Sequence, residues 1–447
     1  MGLIEQEALD GECPMKVPSR LVLGLALLFA PVSSYAISIP LPTTEATLNL
    51  DLQLQPQFVL NEAGTPDGRD PSYDLFLRRA RIALGGNVGQ NFSYFFQLDS
   101  PNFGKFSNFA GRLLVQDAWF GWAPTGISGG TVVYVEAGQL YIPFSRHILV
   151  ATTNFITADL QTDGLRIPNN PFQAFRSVGV QVRGWALDKR LGFRGGVFEG
   201  YGPIDQAAGT CASDGVGCIT PKRNPLFSGL VNFDLIGSEE GQWLYSSYKW
   251  GASPILSVNG AATYQALALK NAFGSLTNLR VFSAGLYLDL PSSEQSELVV
   301  EATGYLNGNG TGSPNNGAGF AAAAGYRFGF IAPYVAYDFF ESFGCSGAGA
   351  TASELAACEA NVDSANSRNL KAGLNLFFNK NLNHVNIEFG INHGFSAYGP
   401  SSITAPAAGY VPASLDPLTP GGPRRPFTNS LANPNFKSLL VQWTMYL

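Results

Sequence analysis

The chain has 447 residues, of which 45% are hydrophobic, 12% aromatic and only 13% charged, whereas about 25% of the residues in a typical soluble domain carry a charge. Beyond the first 36 residues, no stretch approaches the roughly 20 unbroken apolar residues that a membrane-spanning helix needs. This composition excludes a helical membrane protein and favours either a large secreted β-protein or a membrane β-barrel.

The N-terminus carries the pattern of a secretory signal peptide. Lys16 and Arg20 precede an apolar stretch, which is followed by the small residues Ser34 and Ala36. The acidic residues before Met15 do not fit this pattern. We therefore predict that residues 1–36 comprise an N-terminal extension and a cleaved signal, with Met15 as the true start.

The mature chain is then predicted to be one domain, residues 37–447. Cleavage would remove two basic and four acidic residues, which leaves 25 basic and 29 acidic residues and a net charge of −4. A nucleic-acid-binding protein usually carries a strongly basic surface. The charge balance therefore excludes an obvious nucleic-acid partner.

Alternation of apolar and polar residues marks strands along the whole mature chain. The first such stretch, TLNLDLQLQ (47–55), alternates leucine with Asn, Asp and Gln, and HVNIEFGIN (384–392) repeats the pattern. No helical period competes with them. The predicted strands, about 16 in all, cover 47–55, 74–84, 91–99, 112–122, 131–142, 176–186, 190–199, 226–236, 254–266, 278–290, 296–306, 318–329, 332–341, 370–378, 384–392 and 439–447.

The connections between these strands alternate in length. Most even-numbered links are short turns, with 237–253 as the exception, while the odd-numbered links are long. Short turns at one end and long loops at the other are typical of an outer-membrane barrel with both termini in the periplasm. The sequence therefore predicts an all-β fold, a transmembrane antiparallel β-barrel of about 16 strands in the bacterial outer membrane.

The strand YDLFLRRARIAL (73–84) places three arginines within an apolar stretch. An arginine that faces lipid near the midplane costs about 2–4 kcal/mol, so Arg79 and Arg81 are predicted to face a water-filled lumen. Arg78 falls on the opposite face and is predicted to lie near a rim, where it can snorkel. The predicted lipid-facing residues are Phe76, Ala80, Ile82 and Leu84. The alternative, the solvated face of a soluble sandwich, is disfavoured by the signal and the loop pattern.

Several stretches resemble the phosphate-selective porin family of the O/P type, in the same order. They are LFLRRARIALGGNVGQNFSYFFQLD (75–99), QDAWFGW (116–122), EAGQLYIPFSR (136–146), VGVQVRGWALDKRLGFRGGVFEGYG (178–202) and LKAGLNLFFNKNLNHVNIEFGIN (370–392). The resemblance implies a homotrimer of 16-stranded barrels with the third long loop, about 143–175, folded into the lumen. Tyr141 stands where the family commonly has lysine, and Leu447 replaces the usual terminal phenylalanine.

These features predict a porin for passive diffusion of small hydrophilic solutes, with anions such as phosphate preferred. Its partners would be outer-membrane lipid and the small ions or solutes it conducts. The alternative is a non-conducting barrel that acts as a structural anchor or adhesin. The candidate pore-lining residues are Arg79, Arg81, Asp117, Arg183, Arg194, Arg327, Lys371 and Glu388. The candidate constriction residues are Arg146, Asp159, Asp163 and Arg166.

Catalytic and metal-binding motifs are weak in this sequence. Ser128 matches G-x-S-x-G in GISGG (126–130), but a nucleophile elbow needs a following helix, and a turn is predicted there. His147, His384 and His393 lack companions at metal-ligand spacing. No enzyme activity, metal or cofactor is predicted. Because the chain is exported, its cysteines are expected to form two local disulfides, Cys211–Cys218 and Cys345–Cys358.

Overall fold

A computed structural model describes residues 37–40, 46–62, 71–105, 109, 113–126, 129–167, 175–201, 224–239, 243–251, 253–270, 276–310, 312–345, 351–359, 362–394 and 436–447. The predicted signal segment, Ser128 and the Cys211–Cys218 pair lie outside these residues. The strands of the described chain are β1 Ile37–Pro40, β2 Thr47–Asn61, β3 Ser72–Val88, β4 Phe92–Asp99, β5 Leu114–Trp122, β6 Val132–Tyr141, β7 Arg176–Ala186, β8 Leu191–Phe198, β9 Leu226–Ile236, β10 Ile255–Lys270, β11 Leu276–Ser293, β12 Ser296–Gly308, β13 Gly317–Phe328, β14 Ile331–Ser342, β15 Ser367–Asn379, β16 Asn383–Gly394 and β17 Phe436–Tyr446.

Strands β2 to β17 form a closed antiparallel barrel. Each strand pairs with the next along the chain, and β17 closes the ring on β2, with Ser438 opposite Asn61 and Tyr446 opposite Gln53. The barrel therefore has the 16 strands that the sequence predicts. The short β1, which the sequence pattern did not indicate, pairs with residues 47–50 of β2.

The strands alternate an apolar outer face with a polar inner face, as a barrel in lipid requires. In β7, Val178, Val180 and Val182 are 51%, 51% and 41% exposed, whereas Gln181 and Arg183 between and beside them are buried. Exposed apolar residues would destabilise a soluble protein through lost burial, so this pattern fits a barrel whose outer wall is covered by lipid.

Helices are few in the described chain. They are α1 Ala352–Glu359, α2 Val362–Ala365 and a 3-10 turn at His147–Leu149. None of the helices in these ranges is long and apolar enough to span a membrane. Cys345 and Cys358, the latter within α1, are joined by a disulfide, as the sequence predicts.

A β-bulge in β3 corrects the predicted orientation of its arginines. Gln55 of β2 lies opposite Arg79, but the next residue, Pro56, lies opposite Leu77, so Arg78 is the extra residue. Proline has no N–H to donate to the ladder, and bulges accommodate such positions. The set of residues that points inward shifts by one position between the two sides of the bulge. Arg78 therefore contacts the lumen, and Phe76 is only 4% exposed on the inner face, so the predictions that they lie on the lipid side were wrong.

The two ends of the barrel differ in their links. We call the end that carries both termini the turn end and the opposite one the loop end. The turn-end links 294–295 and 329–330 contain two residues each, but the link between β9 and β10, residues 237–254, is much longer. This link and the loop-end link 142–175 both place residues inside the barrel.

Candidate functional site in the barrel lumen

Residues 142–167, which we call the loop insert, run from β6 into the lumen. The amide of Ile142 donates to the carbonyl of Phe175 at 2.8 Å, so the described ends of the link lie side by side. The insert buries an apolar side against inward residues of the wall. Its core members include Ile142, Phe144, Ile148 and Leu165, packed on Leu279 and Val281 of β11. This burial explains why an internal segment can be well ordered in a polar lumen.

Asp159 anchors the loop insert to the arginines of β3. Its carboxylate accepts from Arg78 Nε at 2.5 Å and from Arg79 Nη2 at 2.6 Å. The two guanidinium groups hold the pKa of Asp159 well below its usual range, against the opposing effect of burial. Arg81 contacts the insert through the Thr152 hydroxyl at 2.8 Å. The three arginines of one strand thus all point at the insert.

Side chains of β15, β16 and β17 cap the backbone of the insert from the other side. Asn375 donates to the carbonyl of Ile156 at 2.8 Å, and Gln442 donates to the carbonyl of Ala158 at 2.7 Å. The amide of Ala158 donates in turn to Glu388 at 3.2 Å. A buried backbone group without a partner is costly, so the polar wall satisfies the chain that crosses it.

The insert makes its closest backbone approach at Gly164. A Cβ on Gly319 of β13 would lie 1.9 Å from the carbonyl oxygen of Gly164, a position only glycine permits. Asn307 of β12 fixes the same stretch: its amide donates to Gly164 at 3.0 Å, and its carbonyl accepts from the amide of Arg166 at 2.8 Å. The insert therefore reaches from β3 across the lumen to β12 and β13.

Asp163 lies in a buried cluster with the wall residues Asp338, Asn369 and Lys371. Asn369 donates to both carboxylates, at 2.6 Å to Asp163 and 2.8 Å to Asp338. Lys371 lies 3.5 Å from Asp338. Burial, and then the charge of Asp338, raise the pKa of Asp163 to about 7. The raised pKa makes the charge of this anchor more sensitive to pH than that of an exposed carboxylate.

A second segment, residues 243–251, enters from the turn end, and we call it the turn insert. Its Tyr245 pairs with the loop insert through backbone hydrogen bonds, with the amide of Tyr245 donating to Leu149 and the amide of Ala151 donating to Tyr245, both at 2.9 Å. Its Ser247 hydroxyl donates to Glu301 of β12 at 2.6 Å. The two inserts therefore meet inside the barrel.

Aromatic side chains hold the turn insert. Trp243 packs on Trp119 of β5 with ring centroids 4.6 Å apart, and the guanidinium groups of Arg183 and Arg194 lie 5.5 and 5.6 Å from its ring. Cations over aromatic faces at such distances are attracted by the ring quadrupole. Trp250 in turn packs edge-on against Phe377, with centroids 4.8 Å apart.

Arg146 of the loop insert joins the two inserts, because its Nη2 donates to the carbonyl of Ser246 in the turn insert at 3.3 Å. It is 2% exposed, and its guanidinium contacts Glu239 at 2.5 Å and Glu301 at 3.3 Å. It also lies over the Tyr287 ring at 3.8 Å. The paired carboxylates raise the pKa of Arg146 despite its burial. This arginine therefore stays charged and links the loop insert, the turn-end link and the wall.

The remaining predicted lumen residues point inward and are buried, except Arg166, which is partly exposed. Most of the charged ones have an oppositely charged neighbour within 3.5 Å. The pairs are Arg81–Asp99, Arg176–Asp117, Arg183–Glu136, Arg327–Glu297 and Lys371–Asp338. Arg194 donates to the carbonyl of Trp243 at 2.5 Å, and Arg166 donates to the carbonyl of Ala365 and the hydroxyl of Ser367.

Sequence reasoning missed the acidic partners and the turn insert. Glu136, Glu297 and Glu301 lie on inward positions of predicted strands, so alternation could have placed them in the lumen, but their partners depend on register across strands. A signal for the turn insert was present in WLYSSYKW (243–250), which is unusually aromatic for a turn. In the described residues no group of His, Cys, Asp and Glu could hold a metal ion.

Comparison with known proteins supports the barrel architecture. No protein-family model and no curated protein sequence matches the chain. Salmonella typhi OmpF, solved in complex with daunomycin, is 14% identical with a TM-score of 0.53, and the match covers 92% of this chain and 100% of that one. The fold is that of a bacterial outer-membrane porin.

The high-pH structure of Pseudomonas putida OprB gives the same result, with 8% identity, a TM-score of 0.53, and coverage of 90% of this chain and 94% of that one. At such identities the similarity concerns the fold alone. The phosphate-selective subtype therefore remains a prediction from the sequence resemblance.

Proposed function

We propose that this protein is an outer-membrane channel for the passive diffusion of small hydrophilic solutes, with the loop insert as its constriction. The observation that carries the proposal is the closed 16-strand barrel with a polar inner wall, crossed by a segment that the wall holds in place. Charged and polar rings on an inner wall are the usual means by which pores select their solutes. Assembly as a homotrimer is part of the proposal and rests on the family resemblance.

Conductance in a planar lipid bilayer tests the proposal. The purified full-length mature barrel should give discrete single-channel steps whose size is set by the narrow lumen. Absence of steps from folded protein would reject the channel. Folding is checked in the same sample by the β-sheet signal in circular dichroism.

A preference for anions, with phosphate among them, is the finer part of the proposal. It rests on the wall arginines, of which Arg79, Arg81, Arg183 and Arg327 each have a carboxylate within 3 Å. Each paired carboxylate reduces the net positive potential that its arginine produces in the lumen. Salt screens the remaining potential over a length of about 8 Å at physiological ionic strength. We therefore expect only a modest anion preference, seen as the sign of the reversal potential in a salt gradient.

Neutral variants test that preference better than charge reversal, because a glutamate at either position would face Asp159 or Asp99 directly. The double variant Arg79→Gln and Arg81→Gln should shift the reversal potential toward cations. Arg368→Gln is the matched control, because Arg368 is 64% exposed on the outer wall. An unchanged reversal potential in the double variant would remove the anion preference and leave the channel in place.

A second candidate function, a non-conducting anchor or adhesin, is favoured by one observation. The two inserts meet inside the barrel, and most of the described inward polar residues are buried. An anchor of this kind would give no conductance as the native protein, yet would bind cells or envelope components through its long loops. The bilayer measurement therefore separates the two candidates.

A further inference from the structure

The outer wall carries a groove near the loop end, between β8 and β11. Gly229 of β9 lies opposite Ala262 of β10 in the sheet register, and both positions face outward. Larger outward residues stand around them: Phe227, Tyr264 and Phe282 are 49%, 42% and 52% exposed. The groove has a volume of about 730 Å³, within the range of about 300–1,000 Å³ typical of small-molecule sites.

Arg280 of β11 borders this groove. It lies opposite Tyr264 and next to Gly308 of β12 in the register, four residues from the loop end of its strand. It is exposed on the outward face, and among the described residues it has no ion-pair partner. By contrast, the outward residues Arg368 and Lys437 at the same end pair with Glu341 and Glu62.

Position along the strand places Arg280 at the edge of the apolar band. The outward residues that follow it toward the turn end are all apolar: Phe282, Ala284, Leu286, Leu288 and Leu290. An arginine at this level can keep its stem in the apolar layer and its charge among the lipid headgroups. The planar guanidinium is suited to bidentate contact with a phosphate.

We propose that Arg280 and the groove bind one phosphorylated glycolipid of the outer leaflet, a lipid A-type molecule. Its phosphate contacts the guanidinium, and one acyl chain lies over Gly229 and Ala262 between the aromatic side chains. The proposal depends on the outer-membrane location in the proposed function. It does not depend on conduction, so failure of the channel would leave it standing.

Two substitutions test the two halves of the site separately. Arg280→Gln removes the charge, and Gly229→Leu fills the groove. A Cβ at Gly229 would lie 3.5 Å from its nearest neighbour, the carbonyl oxygen of Arg194, so a side chain can start there without a backbone clash. The matched controls are Arg368→Gln and Gly304→Leu, the latter on the outer face of β12 with its nearest neighbour 3.9 Å away.

The measurement is native mass spectrometry of the purified barrel in detergent, titrated with bis-phosphorylated lipid A. The wild-type barrel should retain one lipid, with affinity about tenfold weaker, or 1.4 kcal/mol, in Arg280→Gln and in Gly229→Leu. Both controls should match the wild type. Equal weakening in Arg368→Gln, or undiminished binding in Arg280→Gln, would overturn the site.

Two further arms identify the chemistry. Dephosphorylated lipid A should bind as weakly to the wild type as intact lipid A binds to Arg280→Gln. Equal binding of the dephosphorylated lipid would refute a phosphate contact. Loss of barrel oligomers in Gly229→Leu with no change in lipid binding would assign the groove to a second copy of the chain and reject the proposal.

Discussion

The loop insert and the turn insert occupy one lumen but are held by different forces. In addition to its apolar core, the loop insert is fixed by ion pairs and by wall amides that cap its carbonyls, as at Asp159 and Ala158. The turn insert is fixed by aromatic packing and by arginines over rings, as at Trp243. The comparison shows that a polar wall can order a segment either by satisfying its backbone or by stacking on its side chains.

The difference has consequences for response to conditions. Charged anchors depend on pH and on the presence of both partners, whereas stacking on arginine depends little on pH because the guanidinium stays protonated. A change of pH or the loss of a charged partner should therefore affect the loop insert, whereas the loss of an aromatic ring should affect the turn insert. Arg146, which contacts both, is where they are expected to respond together.

The largest effect is expected from Arg146→Leu. The change leaves Glu239 and Glu301 buried without their cation, and breaking a buried pair costs about 3–5 kcal/mol. Hydrogen exchange should accelerate in both inserts, at residues 144–151 and 243–247. The control Arg368→Leu breaks an exposed pair worth about 0–1 kcal/mol. Unchanged protection in both inserts would contradict the joining role of Arg146.

Trp243→Ala should loosen the turn insert alone. It removes the stack on Trp119 and the ring under Arg183 and Arg194, a loss of about 3 kcal/mol for a largely buried tryptophan. Exchange should rise at residues 243–247 but stay slow at 156–163, which the wall amides hold. Equal acceleration in both stretches would show that the inserts form a single cooperative unit.

Asp163→Asn should remove a pH response from the loop insert. The folded-state pKa of Asp163 is raised from 3.8 to about 7, so the folded state holds a proton that the open state releases, and stability is lost as pH rises from about 4 to 7. The loss is at most about 1.4 kcal/mol per pH unit. Exchange at residues 161–165 should accelerate over this range in the wild type only. The same pH dependence in the variant would assign it to another group.

The smallest effect on the lumen is expected from Cys345→Ser. The disulfide closes a loop with a sequence separation of 13, which in the chain-entropy model stabilises that loop by about 3 kcal/mol. The barrel closes through its strand ladder, so exchange should rise near α1 while conductance stays unchanged. A changed single-channel step would show that this loop reaches the conducting path.

The sequence was sufficient to predict the strands because alternation reports the two faces of each strand directly. The entry of the loop 143–175 into the lumen was implied by the family resemblance rather than by the residue pattern, and the described residues 143–167 do lie in the lumen. The sequence did not predict which face of the sheet Arg78 lies on, because the bulge depends on Pro56 in the neighbouring strand. The ion-pair partners were not predictable for a similar reason: Arg183 meets Glu136 only through the pairing of β6 with β7.

The turn insert shows a second limit. Link length indicated that 237–253 was unusual, but length does not say whether a link lies outside the barrel or enters it. The link enters the barrel because its Trp243 can pack against lumen residues, namely Trp119, Arg183 and Arg194. These three residues lie on different strands, so their fit to Trp243 can be recognised only in the folded barrel.

Single-channel conductance of a barrel without the loop insert tests the central claim most directly. Because Ile142 and Phe175 are hydrogen-bonded, residues 144–173 can be replaced by a short Gly-Ser turn without straining β6 or β7. If the insert constricts the lumen, the shortened barrel should conduct several-fold more than the wild type and lose ion preference. Equal conductance in the two folded proteins would contradict the claim that this segment controls the channel.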